Sequence, residues 1–174
     1  MIDYPRPLLG FAAFSGTGKT TLLTQLLPLL RQQQLRIGMI KHAHHKFDVD
    51  KPGKDSYELR KSGASPMLIA SSMRTVLMID KPRPVEPQLD ELLQMIQPNQ
   101  VDAVLVEGFK HIRFPKIELR RPSLGHPLLC TDDSSIIALA QDEPLQTELD
   151  IPLLDLNQVE QIAAFIINFI KQTS

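Results

Sequence analysis

The sequence predicts an α/β fold of three layers, in which a mostly parallel β-sheet is flanked by helices and carries an antiparallel β extension. Short apolar runs at 8–13 and 101–108 alternate with helical patterns such as the leucine-rich stretch 19–34. Continuous apolar runs of this length are typical of strands buried on both faces, and their alternation with helices favours parallel pairing. Two consecutive strand-like runs, 66–71 and 74–80, predict the antiparallel extension.

The remaining elements follow from the same patterns. Asp55 and Glu58 stand in capping-box spacing ahead of Gly63, so we expect a short helix over 55–64 that Asp55 caps. The apolar stretch 159–170 predicts a C-terminal helix. Further strands are predicted at 35–41, 116–121 and 134–140, and a further helix at 87–96.

Composition limits the class of protein. The chain has 174 residues, which fits a single domain, 1–174, with a small β lobe contributed by about 66–82 and 112–130. The net charge of −1 favours neither nucleic acid nor an anionic membrane as a partner. With one cysteine, Cys130, the chain can form no internal disulfide or multi-thiolate metal site. No secretory signal or membrane-spanning run is apparent, so we expect a cytoplasmic protein.

The stretch A-F-S-G-T-G-K-T, residues 13–20, carries the clearest chemistry. It lies between an apolar run and an amphipathic helix, the context of a P-loop, with Ala13 in place of the first glycine. Gly16 and Gly18 let the backbone wrap a phosphate chain, Lys19 would reach the terminal phosphates, and the Thr20 hydroxyl would hold Mg²⁺. The motif therefore predicts a P-loop NTPase fold with a nucleoside triphosphate site.

A P-loop protein also needs an acidic residue at the end of a neighbouring strand, to organise Mg²⁺. The run 101–108 offers Glu107 where that strand is expected to leave the sheet on the ligand side. Asp102 lies at the opposite end of the same run, so we assign it a structural role.

The loop at 42–54 leaves three interpretations open. His42, His44 and His45 are exposed or hydrogen-bonded loop residues, or they sense the nucleotide, or they bind a transition metal such as zinc or nickel. Adjacent histidines point in different directions in regular structure and no cysteine assists, so the aspartates near the P-loop are the better candidates. Asp48 and Asp50 are candidate direct or outer-sphere Mg²⁺ ligands, and Lys51 or Lys54 could contact phosphate.

Three segments together resemble one family. AFSGTGKTT, IKHAHHKFDVDKPGKDSYELRKSGA and LVEGFKH occur in this order within residues 8–140 and resemble MobB, the molybdopterin-guanine dinucleotide biosynthesis protein B family. The resemblance implies a GTP-binding protein with weak GTPase activity that forms homodimers through an extended sheet. It also implies an adaptor for the molybdopterin guanylyltransferase that attaches GMP to molybdopterin.

The resemblance assigns site residues by position. Asp50 and Glu107 would face the metal with Thr20, and the segment from Ala140 to Leu145 resembles the family's base-side loop, with Asp142 as the partner of the guanine base. Lys19, Asp50 and Glu107 would serve catalysis. The nucleotide would be held by Ser15, Gly16, Thr17, Gly18, Lys19, Thr20, Thr21 and Asp142.

Two departures and several alternatives accompany these expectations. Ala13 and Phe14 stand where related GTPases often carry a lysine, which is consistent with poor hydrolysis, and the chain has no Asn/Thr-Lys-x-Asp guanine motif. Lys110, His111 and Arg113 could contact the phosphate of molybdopterin or be solvated. Arg113 and Arg60 are candidates for anion contact. The alternative functions are an ATP-dependent small-molecule kinase or ligase and a nickel or zinc metallochaperone GTPase.

Overall fold

The computed structural model describes residues 2–43, 47–144 and 149–173. They form two compact units, one from the described residues of Met1–His42 and Gln88–Ser174 and the other from those of Ala43–Pro87. The strands are β1 (Leu8–Ala13), β2 (Ile37–Lys41), β3 (Met67–Ala70), β4 (Thr75–Met78), β5 (Ala103–Glu107), β6 (Lys116–Arg120), β7 (Ile136–Gln141) and β8 (Leu153–Asp155). The α-helices are α1 (Lys19–Gln32), α2 (Asp55–Lys61), α3 (Leu89–Leu93) and α4 (Val159–Thr173), and 3₁₀ turns lie at Pro98–Gln100 and Pro122–Leu124.

The first unit is built on a six-stranded sheet with the order β2-β5-β1-β6-β7-β8. Each pair of neighbouring strands in it is parallel. Because parallel strands are joined by crossovers on the sheet faces, their carboxyl ends all meet at one edge. This edge carries the P-loop that follows β1.

Both faces of this sheet are covered, which confirms the predicted three layers. Along β1, Leu8 packs in a cluster with α3, whereas Leu9 and Phe11 point to the opposite face and pack with α1 and α4. The alternation follows from the two-residue period of a strand. Leu26 of α1 and Ile166 of α4 are completely buried in the same hydrophobic cluster. This packing fixes α1, which follows the P-loop, against the sheet.

The second unit contains α2 and the antiparallel pair β3–β4, which confirms the predicted extension. Arg60 connects three parts of this unit, because its guanidinium forms ion pairs with Asp48 at 2.8 Å and with Asp80 at 3.0 Å. The Arg60 side chain is only 7% exposed. Burial opposes ionisation of Asp48, but the hydrogen bonds from Arg60 and from the Asp50 amide, together with the charges of Arg60 and Lys61, outweigh it and lower the pKa of this carboxyl. Arg60 therefore holds its own unit together and is committed to these carboxylates, in place of the anion contact considered from the sequence.

Several expectations need correction. Asp55 is the first residue of α2, which no side chain caps, because Lys54 occupies the cap position. The segment 116–121, part of the stretch 112–130 expected to contribute to the β lobe, supplies β6, which lies between β1 and β7 in the six-stranded sheet. Two of its charged residues, Lys116 and Glu118, are buried in the structure. Strand β8 was missed because three residues carry too little pattern.

Candidate functional site

The carboxyl edge of the parallel sheet gathers the polar residues of the candidate site. The strands β1, β2 and β5 end at Ala13, Lys41 and Glu107, and the register pairs Lys41 directly with Glu107. The strands β6 and β7 end in register at Arg120 and Gln141. Segments from five parts of the sequence therefore meet at the mouth of the P-loop.

The P-loop backbone is already in a wrapped conformation. Gly16 and Gly18 have φ angles of 81° and 93°, in the left-handed region that favours glycine. Between them, Thr17 is only 2% exposed, and its hydroxyl donates a 2.8 Å hydrogen bond to the carbonyl of Phe14. This internal bond fixes the loop without using the amides that a phosphate chain would need.

The N-terminus of α1 suits an anion. Its first turn contains no acidic residue and Gly18 caps it without a side chain, so no carboxylate of its own competes for the first amides. Thr20 and Thr21, like Ser15 and Gly16 before them, are exposed, and Lys19 is half-buried. These are the positions predicted from the motif, and the structure places them together.

Positive charge concentrates around Lys19. Burial lowers the pKa of its ammonium, Glu107 raises it, and the neighbouring Lys41 and Lys110 lower it further. Glu107 is paired with Lys41 at 3.1 Å between Nζ and Oε2, and its side chain is 14% exposed. Three lysines and one carboxylate thus create an electropositive region suited to a polyphosphate.

Glu107 and Thr20 fit a magnesium ion better than a transition metal. Mg²⁺ is usually held by one or two protein oxygens together with substrate phosphates, and both side chains offer oxygen. Across 2–43, 47–144 and 149–173, no group of three or more His, Cys, Asp or Glu side chains is arranged to hold a metal. Thr20 and Glu107 would hold Mg²⁺, which would supply charge neutralisation at the phosphates.

Asp102 has the structural role expected of it. It accepts hydrogen bonds from the Arg36 side chain at 2.7 and 3.1 Å and from the Arg36 backbone at 2.8 Å. The hydrogen bonds from Arg36 lower the pKa of Asp102 to about 2. The pair ties the start of β2 to the start of β5, opposite the P-loop edge.

Asp50 belongs to the second unit. Its Oδ1 accepts bonds from the Lys51 backbone at 3.0 Å and the Ser56 hydroxyl at 3.1 Å. Its Oδ2 is buried and has no hydrogen-bond partner among the described residues. Its role at the metal stays a prediction, as do phosphate contacts from Lys51 and Lys54, both of which are exposed.

The histidines of the 42–54 loop divide into two groups. His42 stacks on Phe109, with ring centroids 4.8 Å apart, and its backbone amide donates to the carbonyl of Glu107 at 2.8 Å. It therefore packs beside the predicted metal ligand. His44 and His45 lie outside the described residues, so their metal binding stays a prediction.

The residues after Glu107 lie beside the P-loop. The Lys110 ammonium lies 5.6 Å from the ring centroid of Phe14. A cavity of about 170 Å³ is lined in part by Ala12, Lys110 and His111, and Arg113 is exposed. These positions leave Lys110 and His111 accessible to an anion.

Sequence reasoning missed two basic residues of the site. Lys41 ends β2 against Glu107, and Arg121 follows β6 beside the P-loop. The Arg121 Nε donates to the carbonyl of Thr17 at 3.0 Å, and its Nη1 pairs with Oδ2 of Asp142 at 2.5 Å. Asp142 Oδ1 is buried and has no partner among the described residues. Lys41 and Arg121 each stand at the carboxyl end of a predicted strand, 35–41 or 116–121, and this position was the signal available in the sequence.

Comparison with known proteins agrees with this geometry. The family model described as "Molybdopterin guanine dinucleotide synthesis protein B" matches residues 8–142. The chain is 49% identical to the molybdopterin-guanine dinucleotide biosynthesis adapter protein of Escherichia coli over 95% of its length and 94% of the relative's. It is 44% identical to the protein of that name from Haemophilus influenzae, over 94% and 89%.

A solved structure supports the fold. The crystal structure of Bacillus subtilis MobB superposes with a TM-score of 0.73 at 21% identity, covering 94% of this chain and 97% of that one. At this identity the likeness establishes the fold alone. The family model and the two close relatives go further, and together they show that this chain belongs to the MobB family.

Proposed function

We propose that this chain is a GTP-binding adaptor in the biosynthesis of molybdopterin-guanine dinucleotide. The observation that carries the proposal is the wrapped P-loop at residues 13–20, which opens onto α1 beside Lys19 and Glu107. The adaptor role is supported by the name shared by the relatives from Escherichia coli and Haemophilus influenzae.

The phosphates would lie on the P-loop. The backbone amides from Ser15 to Thr21 and the Lys19 ammonium would bind them, with the dipole of α1 adding favourable charge. Mg²⁺ would be held by Thr20 and Glu107, and Asp50 stays a predicted third ligand. Lys41, which pairs with Glu107 in this structure, would contribute a further positive charge next to the terminal phosphate.

Guanine would be recognised by Asp142. The buried Oδ1 of this carboxylate has no partner among the described residues, and a buried acceptor without a donor costs about 1–3 kcal/mol. Guanine presents two adjacent N–H groups on one edge, whereas adenine places an acceptor nitrogen beside its amino group. A carboxylate at this position would therefore favour GTP over ATP.

Hydrolysis would be slow. P-loop GTPases that lack a positioned arginine turn over about 10⁵-fold more slowly than the assisted reaction. Ala13 and Phe14 provide no cation in the early P-loop. Such a protein would act mainly by binding GTP.

Residues 1–174 would form one nucleotide-binding domain that carries a small β lobe.

The chain would act as a cytoplasmic homodimer with the molybdopterin guanylyltransferase as its partner. The strands β3 and β4 form a sheet of two, in which Leu68 and Leu77 lie opposite each other and are 63% and 51% exposed. Open sheet edges and exposed apolar pairs favour association with a second copy. Separately from that proposal, none of the helices in the part of the chain that the structure describes has the length and hydropathy of a transmembrane span.

Titration calorimetry tests the proposal. We expect purified protein with Mg²⁺ to bind GTP more tightly than ATP, and we expect the guanylyltransferase to change the GTP affinity. Binding of ATP with no effect of that partner would contradict the adaptor role and favour a kinase or ligase.

A further inference from the structure

A single arginine joins the two ends of the proposed nucleotide site. Arg121 follows β6, and its guanidinium donates from Nε to the carbonyl of Thr17 in the P-loop. From Nη1 it forms an ion pair with Asp142, which follows the neighbouring strand β7. We propose that Arg121 is a positioning residue that couples the phosphate loop to the base-side carboxylate. This inference rests on the proposed function, because it assumes that the P-loop holds phosphates and that Asp142 reads the base.

The strand order makes this link possible. β6 lies between β1, which leads into the P-loop, and β7, which leads into the base-side loop. The register pairs Arg120 with Gln141, so the next residues, Arg121 and Asp142, leave the sheet side by side. An arginine at this position can reach the loops on both sides.

Its partners are placed where their orientation matters. Thr17 is 2% exposed and stands between Gly16 and Gly18, so its carbonyl direction is part of the P-loop conformation. A Cβ atom built on Gly18 would lie 3.6 Å from Nη2 of Arg121, which shows how closely the guanidinium follows the loop. Movement of Arg121 would therefore change the conformation of the phosphate-binding backbone directly.

The other end fixes the recognition group. Arg121 holds Oδ2 of Asp142, and the side chain of Asp142 is 16% exposed. Oδ1 of the same carboxylate is buried without a partner among the described residues. One oxygen is thus anchored and the other is directed as an acceptor. The planar fork of a guanidinium suits this task, because it offers donors in fixed directions, which a lysine does not.

The test compares nucleotide selectivity, since a merely structural change would weaken GTP and ATP equally. Binding of Mg²⁺-GTP and Mg²⁺-ATP is measured by calorimetry for the wild type, Arg121→Ala, Arg121→Lys and Asp142→Asn. We expect Arg121→Ala to weaken GTP binding by about 10- to 100-fold, because the P-loop and the Asp142 carboxylate both lose the guanidinium that orients them. We expect ATP to weaken less, so that the GTP-to-ATP ratio falls to the value for Asp142→Asn.

Arg121→Lys and one further variant serve as controls. Arg121→Lys keeps the charge but not the fork, so we expect the same low ratio as for alanine; it also serves if the alanine variant does not fold. Arg31→Ala removes an equal charge from the exposed last turn of α1, at the end of that helix away from the P-loop. It should keep the wild-type ratio.

The outcomes separate this inference from the function on which it rests. If the wild type prefers GTP but Arg121→Ala keeps the wild-type ratio, or loses both nucleotides equally, the coupling role is refuted and the GTP site stands. If the wild type binds no nucleotide, or binds GTP and ATP alike, the proposed base recognition fails and this inference fails with it.

Discussion

Replacement of Gly108 by alanine should destabilise the strand exit that presents Glu107. Gly108 has a φ of 97°, where an L-residue is strained by about 1–3 kcal/mol. A Cβ atom would also lie 2.6 Å from Cβ of His42 and 3.6 Å from its Cα, and overpacking of this kind costs about 1–3 kcal/mol. The His42 amide is held by the Glu107 carbonyl at 2.8 Å, so His42 cannot withdraw without breaking that bond. The two costs together predict a total loss of about 2–6 kcal/mol.

Urea denaturation measures this loss, and Gly125→Ala provides the matched control. Gly125 lies in the same unit with a φ of 69°, but a Cβ there would meet no atom within 4 Å. The control therefore carries backbone strain alone, and we expect it to cost about 1 kcal/mol. If both variants lost equal stability, the close approach of Gly108 to His42 would not be a constraint, and the reasoning would be wrong.

Two further predictions concern the carboxylates at the two ends of β5. Mg²⁺ should increase the GTP affinity of Glu107→Gln roughly tenfold less than that of the wild type, while GTP binding in EDTA stays the same or improves. Calorimetry with and without Mg²⁺ measures this difference. An unchanged effect of Mg²⁺ would show that Glu107 is not a metal ligand. Asp102→Asn should cost about 1 kcal/mol at pH 7, because screening at the half-exposed Arg36 reduces the value of the pair. The folded pKa of Asp102, about 2, lies below its ordinary 3.8, so this stability is present above pH 4 and is lost as pH falls toward 2. Urea melts of both proteins from pH 7 to pH 2 follow the difference, and a difference independent of pH would contradict the assignment.

The sequence predicts the parts of the site that local pattern encodes. The P-loop can be read directly because glycine spacing and the flanking strand and helix determine its backbone. Glu107 follows from its place at the end of an apolar run. Arg121 and Lys41 could not be found in this way, since their roles depend on which strands are neighbours, and chain order does not reveal that β6 lies between β1 and β7.

Buried polar residues explain the largest error in the fold. Lys116 and Glu118 alternate with apolar residues in β6, which is the pattern of a strand with one face in water. In the structure Lys116 bonds to Asp133, Ser135 and the Ile112 carbonyl. Glu118 accepts two backbone amides, those of Leu129 and Cys130, at 2.9 and 2.8 Å. Apart from Ile112, these partners lie 11 or more residues away in the loop between β6 and β7, so the sequence pattern of the strand does not show that its polar face is covered.

The central claim is that the P-loop binds a nucleotide through Lys19. GTP affinity is measured by calorimetry in the presence of Mg²⁺ for the wild type, for Lys19→Ala and for Lys171→Ala, which removes a lysine from the last turn of α4. We predict that Lys19→Ala loses about 10- to 150-fold in affinity, because a half-buried, charge-assisted contact to phosphate worth about 1.5–3 kcal/mol is removed. Lys171→Ala should bind as the wild type does. Equal GTP affinity in Lys19→Ala and the wild type, with both proteins folded, would contradict the account.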